Sequence, residues 1–382
     1  MSGENTASLS RERESWAGAV RGRILQKAAI VVRRSGDKIP YTTVGGRFDD
    51  NFAARPYWWC NSFWTGLQWL LYKETGEELY KNLAERLELR MDESLHGFDG
   101  LHHDVGFMWL LSAVANYRLT GGEASKRRGL IAASHLAGRF NPKAHFLTAW
   151  NTTERQGWSI IDTMMNLPLL YWATEETGYT RFAQVASLHA DKTMHHAVRP
   201  DGSVSHIIEY DLETGAALRT YAGQGYAEGS SWTRGQAWAL YGFTLACRHT
   251  GNAAYLATAK RVADYFLSCC AECGYIPPID FRAPKEPLWV DTTAAAIAAS
   301  GLLDLGRLLE PSEGEVYLEG AYKLLRAVEE AHADWGEDCD AILRMGSEAY
   351  HDPAGKHMDI IYGDYFFAEA VFKLAGAEPS MW

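Results

Sequence analysis

Three features of the chain predict an all-α fold in which six helical hairpins close into one ring. The first is a recurring phrase: an apolar helical stretch, then Thr-Gly, then an amphipathic stretch. It stands as LLYKETGEELYKNLAERL at 70–87, VANYRLTGGEASKRRGLIAA at 114–133, WATEETGYTRFAQVASLHA at 172–190 and LACRHTGNAAYLATAKRVADYF at 245–266, with a variant, LGRLLEPSEGEVYLEGAYKLL, at 305–325. The second is an asymmetry within each pair. The first helix is apolar nearly all round (FWTGLQWLLY, VGFMWLLSAVA, TTAAAIAASGLLDLG), whereas the second carries a charged face, so one set belongs inside and the other outside. The third is irregular spacing: the turn glycines stand at 76, 121, 178 and 251. An open solenoid keeps its period, whereas a closed ring can vary the loops between hairpins. The expectation is an (α/α)6 barrel, a six-hairpin toroid, formed as one domain by residues 1–382.

Taken in order, helices are expected at 14–34, 62–75, 78–94, 104–119, 124–139, 160–177, 180–196, 232–249, 253–270, 291–309, 313–332 and 360–375. In each hairpin Gly, or Pro with Ser in the fifth, follows the last apolar-periodic residue, where a helix C-cap belongs. Residues Ser203–Tyr210 and Arg219–Tyr221 read as weak strands and are expected to form a small β-hairpin in the loops at the mouth. No linker rich in Pro, Gly or Ser divides the chain.

Composition narrows the function. With 47% hydrophobic residues among 382, the chain can bury a large core. It contains no run of 18 apolar residues, and its first 16 residues are polar and charged, so neither a membrane span nor a signal peptide is expected and the cytoplasm is the expected compartment. A net charge of −11 argues against nucleic acid as a partner, and an anionic substrate would have to be met by a few local cations. Three of six cysteines crowd into 269–273 without a second ligand pair nearby, which reads as buried thiols rather than a zinc site. The 14 Trp and 19 Tyr supply flat faces with one polar edge, suited to sugars as well as to a large core.

If the inner helices run parallel, their N-terminal ends gather at one mouth of the barrel. The polar residues at those ends are Asn61, Asp104, Asp162, Trp232 with Arg234, Asp291 and Asp364. Each acid could be a helix cap. Asp162 is harder to explain that way, because it sits among Ile160, Ile161, Met164 and Met165. Two acids aimed into one cavity meet the minimum for general acid/base work at a glycosidic centre. Desolvation in the run from Ile160 to Leu170 is expected to raise the pKa of Asp162, while Asp104, behind two histidines, is expected to be better solvated and ionised. His102 and His103 are expected to point apart, as neighbours at a helix start do, so no metal is expected. His195 and His196 fall on an outer helix, and no glycine-rich phosphate cradle is present, so no cofactor is expected either.

Five segments carry a resemblance: WCNSFWTGL at 59–67, LHHDVGF at 101–107, IIDTMMNLPLL at 160–170, GSSWTRGQAW at 229–238 and YGDYF at 362–366. In this order they resemble the unsaturated glucuronyl hydrolases of glycoside hydrolase family 88. The resemblance implies a substrate bearing a C4=C5 double bond conjugated to the C5 carboxylate, the mark a polysaccharide lyase leaves at a non-reducing end. It implies protonation at C4 and water addition at C5, with Asp162 as acid/base and Asp104 as the partner acid that holds ring hydroxyls. It further implies that Trp59 and Trp232 stack on the sugar, that His206, Gln224 and Arg234 hold the carboxylate and the attacking water, and that Asn61, His103 and Trp238 belong to the substrate site. The chain departs from the pattern at Asn61, at Asp359 and in the Tyr-Ala-Gly before Gln224, positions assigned to the leaving-sugar side.

The expected partner is thus an oligosaccharide, most simply a disaccharide, with an unsaturated uronate at its end, bound by a monomer or weak homodimer. Two rivals share the barrel. An unsaturated rhamnogalacturonyl hydrolase would do the same chemistry on pectin fragments, but the HHD and SSWTRGQAW segments favour the glucuronyl group. A sugar 2-epimerase would need paired catalytic histidines on inner helices. A binding protein with a dead site would have lost one of the two acids.

Overall fold

The computed structural model describes residues 2–97, 99–377 and 381–382, with the side chains of 2–10 left aside. Twelve helices alternate between an outer and an inner ring. The outer ones are α1 (Ser2–Ser35), α3 (Glu78–Arg90), α5 (Glu123–Ala137), α7 (Arg181–His196), α9 (Ala253–Glu272) and α11 (Pro311–His332). The inner ones are α2 (Phe63–Thr75), α4, α6 (Pro168–Thr177), α8 (Thr233–Thr250), α10 (Thr292–Arg307) and α12 (Ile361–Leu374). Helix α4 runs through Val105–Trp109, a π turn at Leu110–Val114 and Ala115–Thr120. The first five inner helices pair with the outer helix that follows them; α12 packs against α1, so the ring is closed by the two ends of the chain. The (α/α)6 barrel expected from sequence is what forms.

The turns form as the sequence suggests. Gly76, Gly121, Gly178 and Gly251 each end an inner helix in the left-handed region, at φ between 69° and 74°, and each donates its N–H to the carbonyl four residues back. In the fifth hairpin Pro311 opens α11, where its missing N–H costs nothing. The inner helices are buried nearly all round: residues 292–306 of α10 and 361–373 of α12 are buried without a break. The structure departs from the expected helix 160–177. There the chain makes a strand, Trp158–Ile160, then a 3-10 turn, Ile161–Met165, before α6 starts at Pro168. Proline fixes where the regular helix begins, and the turn before it sets Asp162 at the barrel mouth.

Three small sheets sit in the loops: β1 (Thr43–Val44) with β2 (Arg47–Phe48), β3 (Phe140–Asn141) with β4 (Phe146–Leu147), and β5 (Trp158–Ile160), β6 (Ile207–Tyr210) and β7 (Ala217–Tyr221). The expected hairpin is β6–β7, and β5 adds a third antiparallel strand, pairing Trp158 with Glu209 and Ile160 with Ile207. Among the described residues all six cysteines are free, and no helix is long and apolar enough to cross a membrane.

The far end of the barrel is sealed. Trp382 is buried and stacks on Phe366 with the ring planes 2° apart. Its indole N–H donates to Glu369 (2.8 Å), which also accepts from Tyr365 Oη (3.1 Å) and Tyr241 Oη (3.1 Å). Lys373 donates to Tyr241 Oη (2.7 Å), Ser300 Oγ (3.1 Å) and Asp304 (3.0 Å).

Candidate active site

The mouth is built from the residues just before the inner helices. His102, His103 and Asp104 lie in a turn rather than on a helix, because α4 starts only at Val105. Their side chains therefore converge instead of pointing apart. His103 Nε2 lies 3.1 Å from Asp104 Oδ1 and His102 Nδ1 lies 3.4 Å from Oδ2, and the ligand-type atoms of all three fall within 4.8 Å of one another. The three atoms are one short of a closed zinc site. His103 Nδ1 is already spent on the Ala149 carbonyl at 2.7 Å.

This clustering sets the charges. Burial pushes the Asp104 carboxyl up, but the two imidazoles and the Asn166 amide outweigh it, and the carboxyl is held below the usual carboxylate range. Burial pushes the His103 imidazole down, but Asp104 and the Ala149 carbonyl raise it above its ordinary value. His102, whose burial is opposed by Asp104 and reinforced by His103, is pushed down to about 4 and is neutral. The clustering thus favours the charged forms of His103 and Asp104 beside a neutral imidazole.

Asp162 faces a different partner. Its Oδ2 lies 3.4 Å from His206 Nε2, off the line of a good hydrogen bond, and both atoms are buried without a hydrogen-bond partner. His206 is oriented from behind. Its Nδ1 accepts the Gln224 N–H at 3.0 Å, nearer than the Ala222 carbonyl at 3.3 Å, which puts the proton of the neutral ring on Nε2, facing Asp162. Gly223, at φ 58°, makes this possible, since a Cβ there would run into the imidazole. The expected contrast in solvation is not found: the Asp104 and Asp162 side chains are 11% and 14% exposed. What separates the two acids is their surroundings: Asp104 accepts the Asn166 amide and faces two imidazoles, whereas Asp162 Oδ2 has no hydrogen-bond partner.

Asn166 joins them. Its amide donates to Asp104 Oδ1 (3.1 Å) and to the Asp162 carbonyl (3.2 Å), and its Oδ1 accepts Phe107 N–H (2.7 Å). Asn166 is not among the residues expected from sequence, although an amide four residues after Asp162 in the same apolar run carries the signal that singles out Asp162.

The structure redistributes several expected roles. Arg234 is buried, and three of its guanidinium N–H groups are engaged inside the protein. It pairs with Asp291 at 2.6 Å and donates to the Ser347 and Glu348 carbonyls, the latter at 2.6 Å. It therefore clamps the 346–350 segment, which Gln224 also holds through the Glu348 carbonyl (2.7 Å). Asp291 caps α10 through Thr293 N–H (3.1 Å) and accepts Ser347 N–H (3.2 Å). Trp232 is 3% exposed, with His206 4.3 Å from its ring and the Arg234 guanidinium 4.7 Å away, so it supports the histidine. Asn61 is fully buried and tied to Asn51 (3.1 Å) and to the Arg55 (2.9 Å) and Pro56 (3.1 Å) carbonyls, which braces the loop. Trp238 lies in the core beneath Trp59, against Phe107 and Phe366.

Trp59 does reach the mouth. It is half-buried, and its ring sits 4.9 Å from Tyr362 and 5.1 Å from Phe107. Tyr362 Oη is buried without a partner, 5.5 Å separates its ring from the Arg234 guanidinium, and burial holds the phenol protonated. Asp364, expected at the mouth, instead accepts the Ile342 (3.0 Å) and Leu343 (2.7 Å) N–H groups. Asp359 accepts Thr43 Oγ1 (2.8 Å) and Arg344 Nε (3.2 Å).

No family model matches the chain. It is 37% identical over 380 residues to the unsaturated glucuronyl hydrolase of Bacillus sp. (strain GL1), covering 96% of this chain and 98% of that one. It is 30% identical over 334 residues to the unsaturated chondroitin disaccharide hydrolase of Streptococcus pyogenes serotype M1, covering 82% and 80%. A solved UGL variant with dGlcA-Glc-Rha-Glc superposes with a TM-score of 0.87 at 36% identity, over 92% of this chain and 95% of that one. By full-length identity and by fold alike, the chain belongs to the unsaturated glucuronyl hydrolases.

Proposed function

We propose that this chain hydrolyses lyase-generated oligosaccharides, releasing the 4,5-unsaturated uronic acid from their non-reducing end, with Asp162 as acid/base and Asp104 as its ionised partner. One observation carries the reading: Asp162 Oδ2 and His206 Nε2 are buried at the mouth, 3.4 Å apart, and neither has a hydrogen-bond partner. Buried polar atoms left open in this way cost stability and call for a ligand.

In this mechanism the acid form of Asp162 gives its proton to C4 of the vinyl ether. Positive charge appears at C5 and on the ring oxygen, and Asp104 stabilises it. Water adds at C5 and returns a proton to Asp162. The hemiketal opens to a C5 ketone, and the hemiacetal left at C1 expels the remaining sugar as an alcohol. His206 orients the water through Nε2–H, and Trp59 stacks on the uronate ring. Because the Arg234 guanidinium is engaged by Asp291 and backbone carbonyls, the substrate carboxylate is met by neutral donors, of which Tyr362 Oη is an unpartnered one. The chemistry requires no cofactor, and within family 88 the chain would act in the cytoplasm as a monomer or weak homodimer.

The test is loss of conjugated-alkene ultraviolet absorbance with unsaturated disaccharides from several lyases, run in deuterated water. Deuterium should appear at C4 of the released keto sugar. Turnover without it would return the site to attack at the anomeric carbon.

A further inference from the structure

Beside the acids, the three-stranded sheet has two unlike faces. Ile208 and Tyr210 of β6 join the main core, whereas Ile160 and Ile207 form a separate small cluster with Ala149, covered by Trp150, Trp158 and Tyr221. The rings of this second face make a continuous series starting at the catalytic pair. His103 touches Trp150 (5.9 Å between centroids), Trp150 touches Trp158 (5.8 Å), and Trp158 lies against Tyr221 (4.3 Å, 30° between planes). The three outer rings are half-buried, so each keeps an edge or face in solvent.

Two arginines lie on these rings. The Arg155 guanidinium is 5.4 Å from the Trp150 ring and 5.1 Å from Trp158, and Arg219 is 4.4 Å from Tyr221. Both side chains are exposed, and among the described residues neither has a carboxylate within ion-pair distance. Within a chain of net charge −11, two such cations stand on one aromatic strip beside the site, and Glu209, across the strand from Arg219, accepts the Tyr221 Oη–H at its edge. A stacked guanidinium keeps its N–H edge free for a carboxylate or sulfate while the ring beneath takes a sugar face.

We propose that the Trp158–Tyr221 strip, with Arg155 and Arg219, is a subsite for an anionic sugar on the leaving side of the cleaved bond. This rests on the function proposed above. A sugar ring is about as long as one step of the ring series. Trp150, next to His103, then meets the first leaving sugar, and the arginine-bearing strip meets what lies beyond it. In a lyase-generated tetrasaccharide that next residue is a uronate. A sulfate on the first leaving sugar offers the same chemistry from closer in.

The experiment compares kcat and KM of the full-length protein and its Arg155→Ala/Arg219→Ala variant on three unsaturated substrates: an unsulfated chondroitin disaccharide, its sulfated form and an unsulfated tetrasaccharide. The variant should lose about tenfold in kcat/KM, mostly through KM, on the tetrasaccharide, with the unsulfated disaccharide unchanged. A loss confined to the sulfated disaccharide would assign the strip to sulfate rather than to a second uronate. Equal losses on all three substrates, or none on any, would overturn the subsite. Failure of the unaltered protein to turn over any of them would instead overturn the underlying function. Arg219→Lys, which keeps charge but loses the planar fork, should recover only part of the tetrasaccharide rate.

Discussion

At the mouth of the barrel Asp162 Oδ2, His206 Nε2 and Tyr362 Oη are buried with no hydrogen-bond partner, whereas at the far end Glu369, Lys373, Asp304, Tyr241 and Ser300 satisfy one another and the Trp382 indole. Helix α12 runs between the two, carrying Tyr362 at one end and Glu369 and Lys373 at the other, and both ends place polar groups where water is scarce. The difference is completeness. A closed network in a low-dielectric interior holds the helices in one arrangement, and an open one keeps donors and acceptors ready for a substrate at a cost of about 1–3 kcal/mol per unpaired group. Stability and reactivity have been assigned to opposite ends of one scaffold.

That division can be broken from either side, and the sharpest test is Asp162→Asn. It should lower kcat by roughly a thousandfold while leaving substrate binding, because an amide has the shape of the acid but no proton to deliver. Its Tm should match or exceed that of the unaltered protein, since the group removed had no partner to lose. A large drop in Tm would show that the mouth is structural after all. Lys373→Met should do the reverse, costing about 3–5 kcal/mol in denaturant unfolding because Asp304 and Glu369 are left buried against an apolar side chain, with kcat nearly unchanged in the folded fraction.

Arg234 falls between the two ends, and its variant measures how far they overlap. Sequence alone put it opposite the substrate carboxylate, where Arg234→Lys would cost activity and spare the fold. With its fork committed to Asp291, Ser347 and Glu348, the same change should cost about 1–3 kcal/mol of stability. It should also cost about a hundredfold in kcat/KM, because the 346–350 segment and Gln224 shift together. A stable, inactive Arg234→Lys would restore the direct role.

The remaining effect is in pH. Burial raises the Asp364 carboxyl from its ordinary 3.8 to about 7, against the pull of the Ile342 and Leu343 N–H groups. The folded state therefore holds the proton more tightly than the unfolded chain. This contribution is fully present below about pH 4 and is lost as the pH rises through about 7. Asp364→Asn should flatten that part of the stability curve; an unchanged slope would show that the carboxylate is ionised in place.

The elements of this fold were legible because helix periodicity and left-handed glycine caps are local, and Asp162 was legible because a carboxylate in an apolar run needs a reason. What the sequence does not carry is the set of partners. Arg234, Asn61 and Trp232 stand near helix starts, and they contact Asp291, the Pro56 carbonyl and His206, contacts that no periodicity encodes. His102 and His103 were read as helical neighbours, and one turn of non-helical backbone made them converge. The sealed end carried the same signal as Asp162, Glu369 and Lys373 standing one turn apart in the apolar second half of α12, but it was not singled out.

A ring stoppered by Trp382 at one end is a cup, and a cup has kinetics that a tube does not. A polymer can slide through a tube and be cut at any bond, whereas a cup admits only a chain end and takes one residue at each visit. Whatever lies deepest leaves last. With the function proposed above, the expelled sugar, nearer the rim, would have to depart before the keto acid, which would fix the order of product release. The keto acid should then compete with substrate in product-inhibition kinetics, and the expelled sugar should inhibit without competing.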